Sequence, residues 1–136
     1  MLTLVYISTA RAPITPALCD DILAASRRNN PAAGITGLLV AGTKRFLQAL
    51  EGPDDKVRAT YARIAADPRH FACVALGERT SDTRQFGKWA MGYRSGRDVD
   101  GDAGLEAIVA ALVEPIGDAN LRAQFLGFAQ LNARAA

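Results

Sequence analysis

Phe46-Leu47-Gln48-Ala49-Leu50-Glu51-Gly52 is a strand-like run closed by the turn signal Gly52-Pro53. A neutral amide, Gln48, stands in its middle. Buried without partners, such a group costs about 1–3 kcal/mol, so the fold has to supply them. An amide both donates and accepts, and it exchanges those roles by rotating or tautomerising. A second polar intruder, Tyr6, interrupts another apolar run, Leu2-Thr3-Leu4-Val5-Tyr6-Ile7-Ser8. Two hydrogen-bonding groups in two core strands point to a polar site built inside the fold.

The elements around these runs follow from periodicity and punctuation. Residues 2–8 predict strand one, with Leu2, Leu4 and Tyr6 on one face and Thr3, Val5 and Ile7 on the other. Both faces are largely apolar, which places the strand centrally. Thr15-Pro16 starts a helix, with Thr as N-cap and Pro at the first helical position. That helix is expected to run to about Arg28, with Asn29-Asn30-Pro31 as its stop. Gly34 to Val40 reads as strand two, Ala41 to Lys44 as a hairpin turn and Arg45 to Glu51 as strand three. Helix two follows Pro53, with Val57, Tyr61, Ile64 and Ala65 at helical spacing. Phe71 to Glu78 reads as strand four, and Phe86 to Tyr93 as strand five.

The order βαββαββ predicts an α+β, ferredoxin-like fold: a mixed sheet with both helices on one face. Arg94 to Asp102 is a Gly/Asp-rich linker. Two amphipathic segments come after it, Leu105, Ile108, Val109, Leu112 and then Leu121, Phe125, Phe128. They are expected to form two C-terminal helices covering the other face. The chain thus divides into a domain over residues 1–93 and a linker with helical extension over 94–136.

The 136 residues suit one domain, with 49 % apolar and 22 % charged residues. A net charge of +2 makes no case for nucleic acid or a membrane surface. No run approaches the roughly 20 apolar residues that span a bilayer. The chain starts directly in a strand pattern without a leader. Cys19 and Cys73 are far apart and read as reduced thiols. A soluble, cytoplasmic protein is expected. His70 is the only histidine and has no neighbouring ligand for a metal.

Six collinear segments resemble the BLUF domain, the blue-light sensor that uses flavin. Leu4-Val5-Tyr6-Ile7-Ser8 is similar to the family's first strand, Ser26-Arg27-Arg28-Asn29-Asn30 to the end of its first helix, and Gly34-Ile35-Thr36-Gly37-Leu38-Leu39 to its second strand. Phe46 to Gly52 resembles its glutamine motif, Asp67-Pro68-Arg69-His70 its post-helix turn, and Arg84-Gln85-Phe86 with Trp89-Ala90-Met91 its last strand. The C-terminal helices resemble the extension of the short, single-domain members, which carry no enzymatic output domain.

The resemblance implies a flavin between the two helices, FAD first, with FMN or riboflavin as alternatives. Ile22 and Ile64 would sandwich the ring. Asn29, Asn30 and Gln48 would meet its imide edge beside Tyr6, Ser26 and Phe46. Arg63 would donate to a ring carbonyl, and Asp67 and His70 would lie near the ribityl chain. In the family's photochemistry Tyr6 gives up an electron and its proton moves through Gln48, which is left rotated or tautomerised. Trp89 or Met91 on strand five would carry the change to the C-terminal helices and an unidentified downstream protein. Exposed Leu and Phe positions there also suit a homo-oligomer, a dimer or larger.

Two other functions fit the same fold. A small hydrolase of the acylphosphatase type needs Arg and Asn on loops around a phosphate; Arg11 lies in the first loop, but no phosphate-cradling glycines accompany it. An RNA-binding module needs exposed aromatics with a basic surround. Tyr6 and Phe46 flank Gln48, with no basic cluster on that strand face. By the resemblance, the chain is expected to be a switch and not an enzyme.

Overall fold

A computed structural model describes residues 1–42, 44–80, 82–86, 91–95, 110, 113–114 and 117–134. Its elements are β1 (Leu2–Ala10), α1 (Pro16–Ala33), β2 (Thr36–Ala41), β3 (Arg45–Gly52), α2 (Asp54–Ala65), β4 (His70–Thr80), β5 (Gly92–Ser95) and α3 (Ala119–Arg134). The strands form one sheet in the order β4-β1-β3-β2-β5. All neighbours are antiparallel except β2 and β5, which run parallel. This is the expected mixed, ferredoxin-like α+β sheet, and β1 is an interior strand between β4 and β3.

Period-2 alternation splits the strands between two cores. Leu2, Leu4, Tyr6, Leu39, Phe46 and Leu50 pack with Cys19 and Leu23 of α1 and Val57 of α2. Val5, Leu38, Val40, Leu47 and Ala49 face the other way, onto Leu121, Phe125, Phe128 and Ala129 of α3. The C-terminal extension therefore closes the second sheet face, as its amphipathic pattern predicts. The segment carrying Leu105, Ile108, Val109 and Leu112 lies outside the described residues, as does Trp89.

Phe125 is fully buried and stacks edge-on against Phe86 with ring centroids 6.1 Å apart. Phe125→Ala is expected to cost about 3–5 kcal/mol, the usual penalty for emptying an aromatic site in a core. Urea unfolding checks this. A loss below about 1 kcal/mol would mean that α3 merely leans on the sheet.

Helix one does not stop at Arg28. It continues through Asn30 and Pro31 to Ala33, and Gly34 caps it at φ 70° and ψ 27°. The Gly34 amide donates to the carbonyl of Pro31 (3.2 Å) and the Ile35 amide to that of Asn30 (2.9 Å). This is the Schellman closure, which a glycine in the left-handed region permits. Pro31 lies in the last turn, where its missing N–H removes a single helical bond. At the other end Thr15 caps as expected, accepting from the Leu18 amide at 3.1 Å.

Strand five is also displaced. Among the described residues it is Gly92–Ser95, and positions 87–90 of the expected strand lie outside them. Phe86 lies in the loop before it, 1 % exposed, its amide held by the Glu51 carboxylate at 3.0 Å. Strand four is longer than expected, His70–Thr80, and kinks at two register shifts against β1.

Candidate functional site

α1 and α2 leave a cavity of about 230 Å³ over β1 and β3. From α1 it is lined by Ile22, Ala25, Ser26, Asn29 and Asn30, positions that recur on one helical face. From α2 come Thr60, Arg63 and Ile64, again at i, i+3 and i+4. The strands contribute Tyr6, Leu39, Phe46, Gln48 and Leu50, and the turn into β4 adds Asp67, Arg69 and His70. Eleven sequence-predicted residues (Tyr6, Ile22, Ser26, Asn29, Asn30, Phe46, Gln48, Arg63, Ile64, Asp67 and His70) all line this one cavity. Local patterning missed Ala25, Leu39, Leu50, Thr60 and Arg69. The small and apolar ones carry no signal of their own, whereas Arg69 sits in the turn segment that was singled out.

Gln48 stands where β3 is paired on both sides. Its register partners are Tyr6 of β1 and Leu39 of β2. The Tyr6 hydroxyl donates to Gln48 Oε1. On the other end of the amide, Nε2 donates to Met91 Sδ at 3.3 Å. Both Tyr6 and Gln48 are almost fully buried. Burial pushes the Tyr6 phenol well above the ordinary tyrosine range, with Cys73, Tyr61 and Asp67 adding to the effect. Tyr6 therefore keeps its proton and acts as a donor throughout the ordinary pH range.

Met91 is fixed from two directions. Its sulfur lies against Gln48, and the Arg27 guanidinium donates to its backbone carbonyl through Nε (3.2 Å) and Nη2 (3.1 Å). Arg27 thereby ties α1 to the start of β5. Gly37 makes the space: a Cβ there would lie 3.1 Å from Met91 Cε.

His70 forms one wall. Its Nε2 lies 2.5 Å from the Ile64 carbonyl, which can only accept, so Nε2 carries a hydrogen. Nδ1 lies 2.8 Å from the Ser8 hydroxyl. At the mouth, Asp67 accepts from the Arg69 backbone amide and guanidinium, which holds its carboxyl below the usual carboxylate range. Tyr6 and Phe46 are each 3 % exposed beneath the helices. These two rings form no open stacking platform of the kind an RNA module uses.

The chemistry of this lining suits a planar heteroaromatic ring. Apolar walls come from Ile22, Ile64, Leu39 and Leu50, and the polar groups at the inner end are the amides of Asn30 and Gln48. Among the described residues, the Gln48 N–H group meets a thioether, a weak acceptor. A ligand carbonyl would be a better one.

Comparison with known proteins gives the same picture. A family model described as "BLUF: Sensors of blue-light using FAD" matches residues 1–92. The blue light- and temperature-regulated antirepressor BluF of Escherichia coli is 34 % identical over 89 residues, which is 65 % of this chain and 22 % of that protein. Photoactivated adenylate cyclase subunit beta of Euglena gracilis is 30 % identical over 90 residues, again 65 % of this chain but 10 % of that protein. The chain thus spans a small part of these curated relatives. Among solved structures, the BLUF protein BlrB in its dark state superposes with a TM-score of 0.74 at 27 % identity, covering 99 % of this chain and 96 % of that one. BlrP1 of Klebsiella pneumoniae with FMN and cyclic diGMP gives a TM-score of 0.75 at 30 % identity, over 93 % of this chain and 35 % of that one. With its helix-bounded cavity, its buried Tyr6–Gln48 pair and a match spanning two thirds of its length, the chain belongs to the BLUF family of blue-light sensors, whose cofactor is the flavin FAD.

Proposed function

We propose that this chain is a light-driven hydrogen-bond switch and not an enzyme, with Tyr6 and Gln48 as its working pair. The observation that carries this is the buried chain Tyr6 O–H to Gln48 Oε1, and Gln48 N–H to Met91 Sδ. It runs in one direction, and a single amide holds its middle. Flavin supplies the blue absorption and, once excited, the oxidising power.

Ile22 and Ile64 hold the ring between the helices. Asn30 and Gln48 meet its imide edge, Arg63 donates to a ring carbonyl, and Ser26, Asn29, Asp67 and His70 contact the remainder. The cavity of about 230 Å³ suits a ring system. The rest of an FAD would leave through the mouth, where Asp67 and Arg69 stand.

Oxidation of the Tyr6 phenol makes its proton acidic, and Gln48 Oε1 is the acceptor already in place. Return of the electron and the proton to Tyr6 would leave Gln48 rotated or tautomerised. A rotated amide turns its nitrogen toward the Tyr6 hydroxyl and its oxygen toward Met91, which no longer receives a hydrogen bond. Met91 lies just before Gly92, the first residue of β5, so a local polarity change reaches a strand end. Trp89 is a second candidate for this transmission. The signal then goes to a downstream protein, with the chain acting as a cytoplasmic homo-oligomer. Among the described residues, no helix is long and apolar enough to cross a membrane.

The test is an absorption spectrum of the purified protein in the dark and after blue light. A flavin band that moves slightly to the red and returns in the dark supports the switch; a band that bleaches or stays put refutes it. Gln48→Leu is expected to retain flavin, lose the shift, and cost about 1–3 kcal/mol because the Tyr6 hydroxyl loses its acceptor. An intact shift in that variant would remove Gln48 from the mechanism.

A further inference from the structure

Glu51 is a carboxylate with 0 % exposure, three residues beyond Gln48 on β3 and on the opposite sheet face. Thr3 and Thr36 are its register partners on either side. Thr3 Oγ1 donates to Oε2 at 3.2 Å and Thr36 Oγ1 to Oε1 at 3.3 Å. The remaining capacity goes to a distant loop: the Gln85 amide donates to Oε2 at 2.7 Å and the Phe86 amide to Oε1 at 3.0 Å. Each oxygen thus takes one hydroxyl and one backbone amide. Charge-assisted bonds of this kind are about twice as strong as neutral ones.

The loop that Glu51 grips continues into the C-terminal helix. Gln85 Oε1 accepts from the Gly117 amide at 3.0 Å, just before α3. The Phe86 ring packs edge-on against Phe125 of α3. Arg84, beside them, donates to the carbonyl of Gly34, the cap of α1, at 2.7 Å. Five residues after Phe86 comes Met91, whose sulfur touches Gln48. Residues 84–86 are therefore tied both to the strand that bears Gln48 and to α3, five positions in sequence before the residue Gln48 touches.

We propose that Glu51 is a positioning residue that couples the Gln48 site to α3 by clamping residues 84–86. This rests on the light switch proposed above. Coupling needs a bistable element that both sites bias, and a strand end gripped by four donors gives the loop a fixed reference against which Met91 can move. Without the clamp, a shift of Met91 no longer reaches α3 through residues 84–86.

Glu51→Gln isolates the effect. It keeps the shape but sets an N–H₂ against one of the two backbone amides of the loop, so that one donor faces another. Light-minus-dark hydrogen exchange of residues 119–134 is read by mass spectrometry on the flavin-loaded full chain, beside the absorption shift. Glu51→Gln is expected to keep the red shift, because Tyr6 and Gln48 are untouched. The light-induced exchange difference in α3 should fall about fivefold or more, the lower end of typical coupling between sites. Gln85→Ala removes only the link to Gly117 and should reduce the difference in the same direction; it decides the matter if Glu51→Gln does not fold. A full exchange difference in whichever variant folds overturns the clamp, as does a wild-type protein that shifts its spectrum with no change in α3. A wild-type protein with no red shift overturns the switch, and the clamp with it.

Discussion

Tyr6→Phe is expected to give a folded, yellow protein with no light-induced red shift. The substitution removes one oxygen from a site where the ring itself remains well packed. The Tyr6 ring lies 5.3 Å from that of Tyr61 and 6.5 Å from that of His70, and phenylalanine preserves both neighbours. The cavity walls and the Asn30 and Gln48 amides stay, so flavin should still bind. What disappears is the hydrogen that Gln48 Oε1 accepts, together with a phenol that can release an electron and a proton in one place. Stability should fall by about 1–3 kcal/mol, the penalty for a buried acceptor left unmet. That is too little to unfold a typical domain. Loss of the light response in a protein that still unfolds cooperatively, with its Tm lowered by no more than that penalty predicts, would therefore be chemical. A normal shift with Tyr6→Phe would refute Tyr6 as the donor.

The same pair shows what a single sequence makes legible. Tyr6 and Gln48 stand out because each breaks an apolar run, and the antiparallel register of β1 and β3 then sets them opposite each other. Registers of this kind follow from period-2 patterning, which is strong in both strands. The cavity-facing residues of α1 and α2 follow equally from helical spacing. The errors fall where a long-range partner overrides a local rule. Pro31 reads as a helix stop, yet the Schellman closure at Gly34 and Ile35 carries the helix past it. As a result Asn30 belongs to the helix, 3 % exposed, and does not lie in a loop after it. Phe86 reads as the first apolar residue of strand five because Trp89, Met91 and Tyr93 follow it, spaced two apart. Its amide instead goes to Glu51, 35 residues away, and its ring to Phe125. Glu51 gave no local warning, since a glutamate at a strand end looks like a solvated charge. Its burial depends on Thr3, Thr36 and the 84–86 loop meeting there.

Gly37→Ala should be the most damaging small substitution in the molecule, and Gly127→Ala should have the opposite sign. A Cβ at position 37 would lie 2.1 Å from the Ala49 carbonyl oxygen and 3.1 Å from Met91 Cε. The first atom is backbone in the middle of the sheet and cannot swing aside, so β2 and β3 must separate. Adding atoms to a packed core commonly costs 1–3 kcal/mol, and a clash with ladder backbone belongs at or above the top of that range, about 3 kcal/mol or more. For a chain of this length that is a fall in Tm of roughly 6–12 °C. The second contact makes the effect functional too, because Met91 must leave its place against Gln48 or move with it. The dark-state flavin band and its light-induced shift should both change in whatever fraction folds. Gly127 lies within α3 with nothing within 4 Å of where its Cβ would be. There alanine limits the unfolded chain without touching a neighbour and should stabilise by about 0.5–1 kcal/mol. Thermal unfolding of the two flavin-loaded variants decides it. Equal effects would mean that the close approach at Gly37, and with it the seat of Met91 beside Gln48, is misplaced.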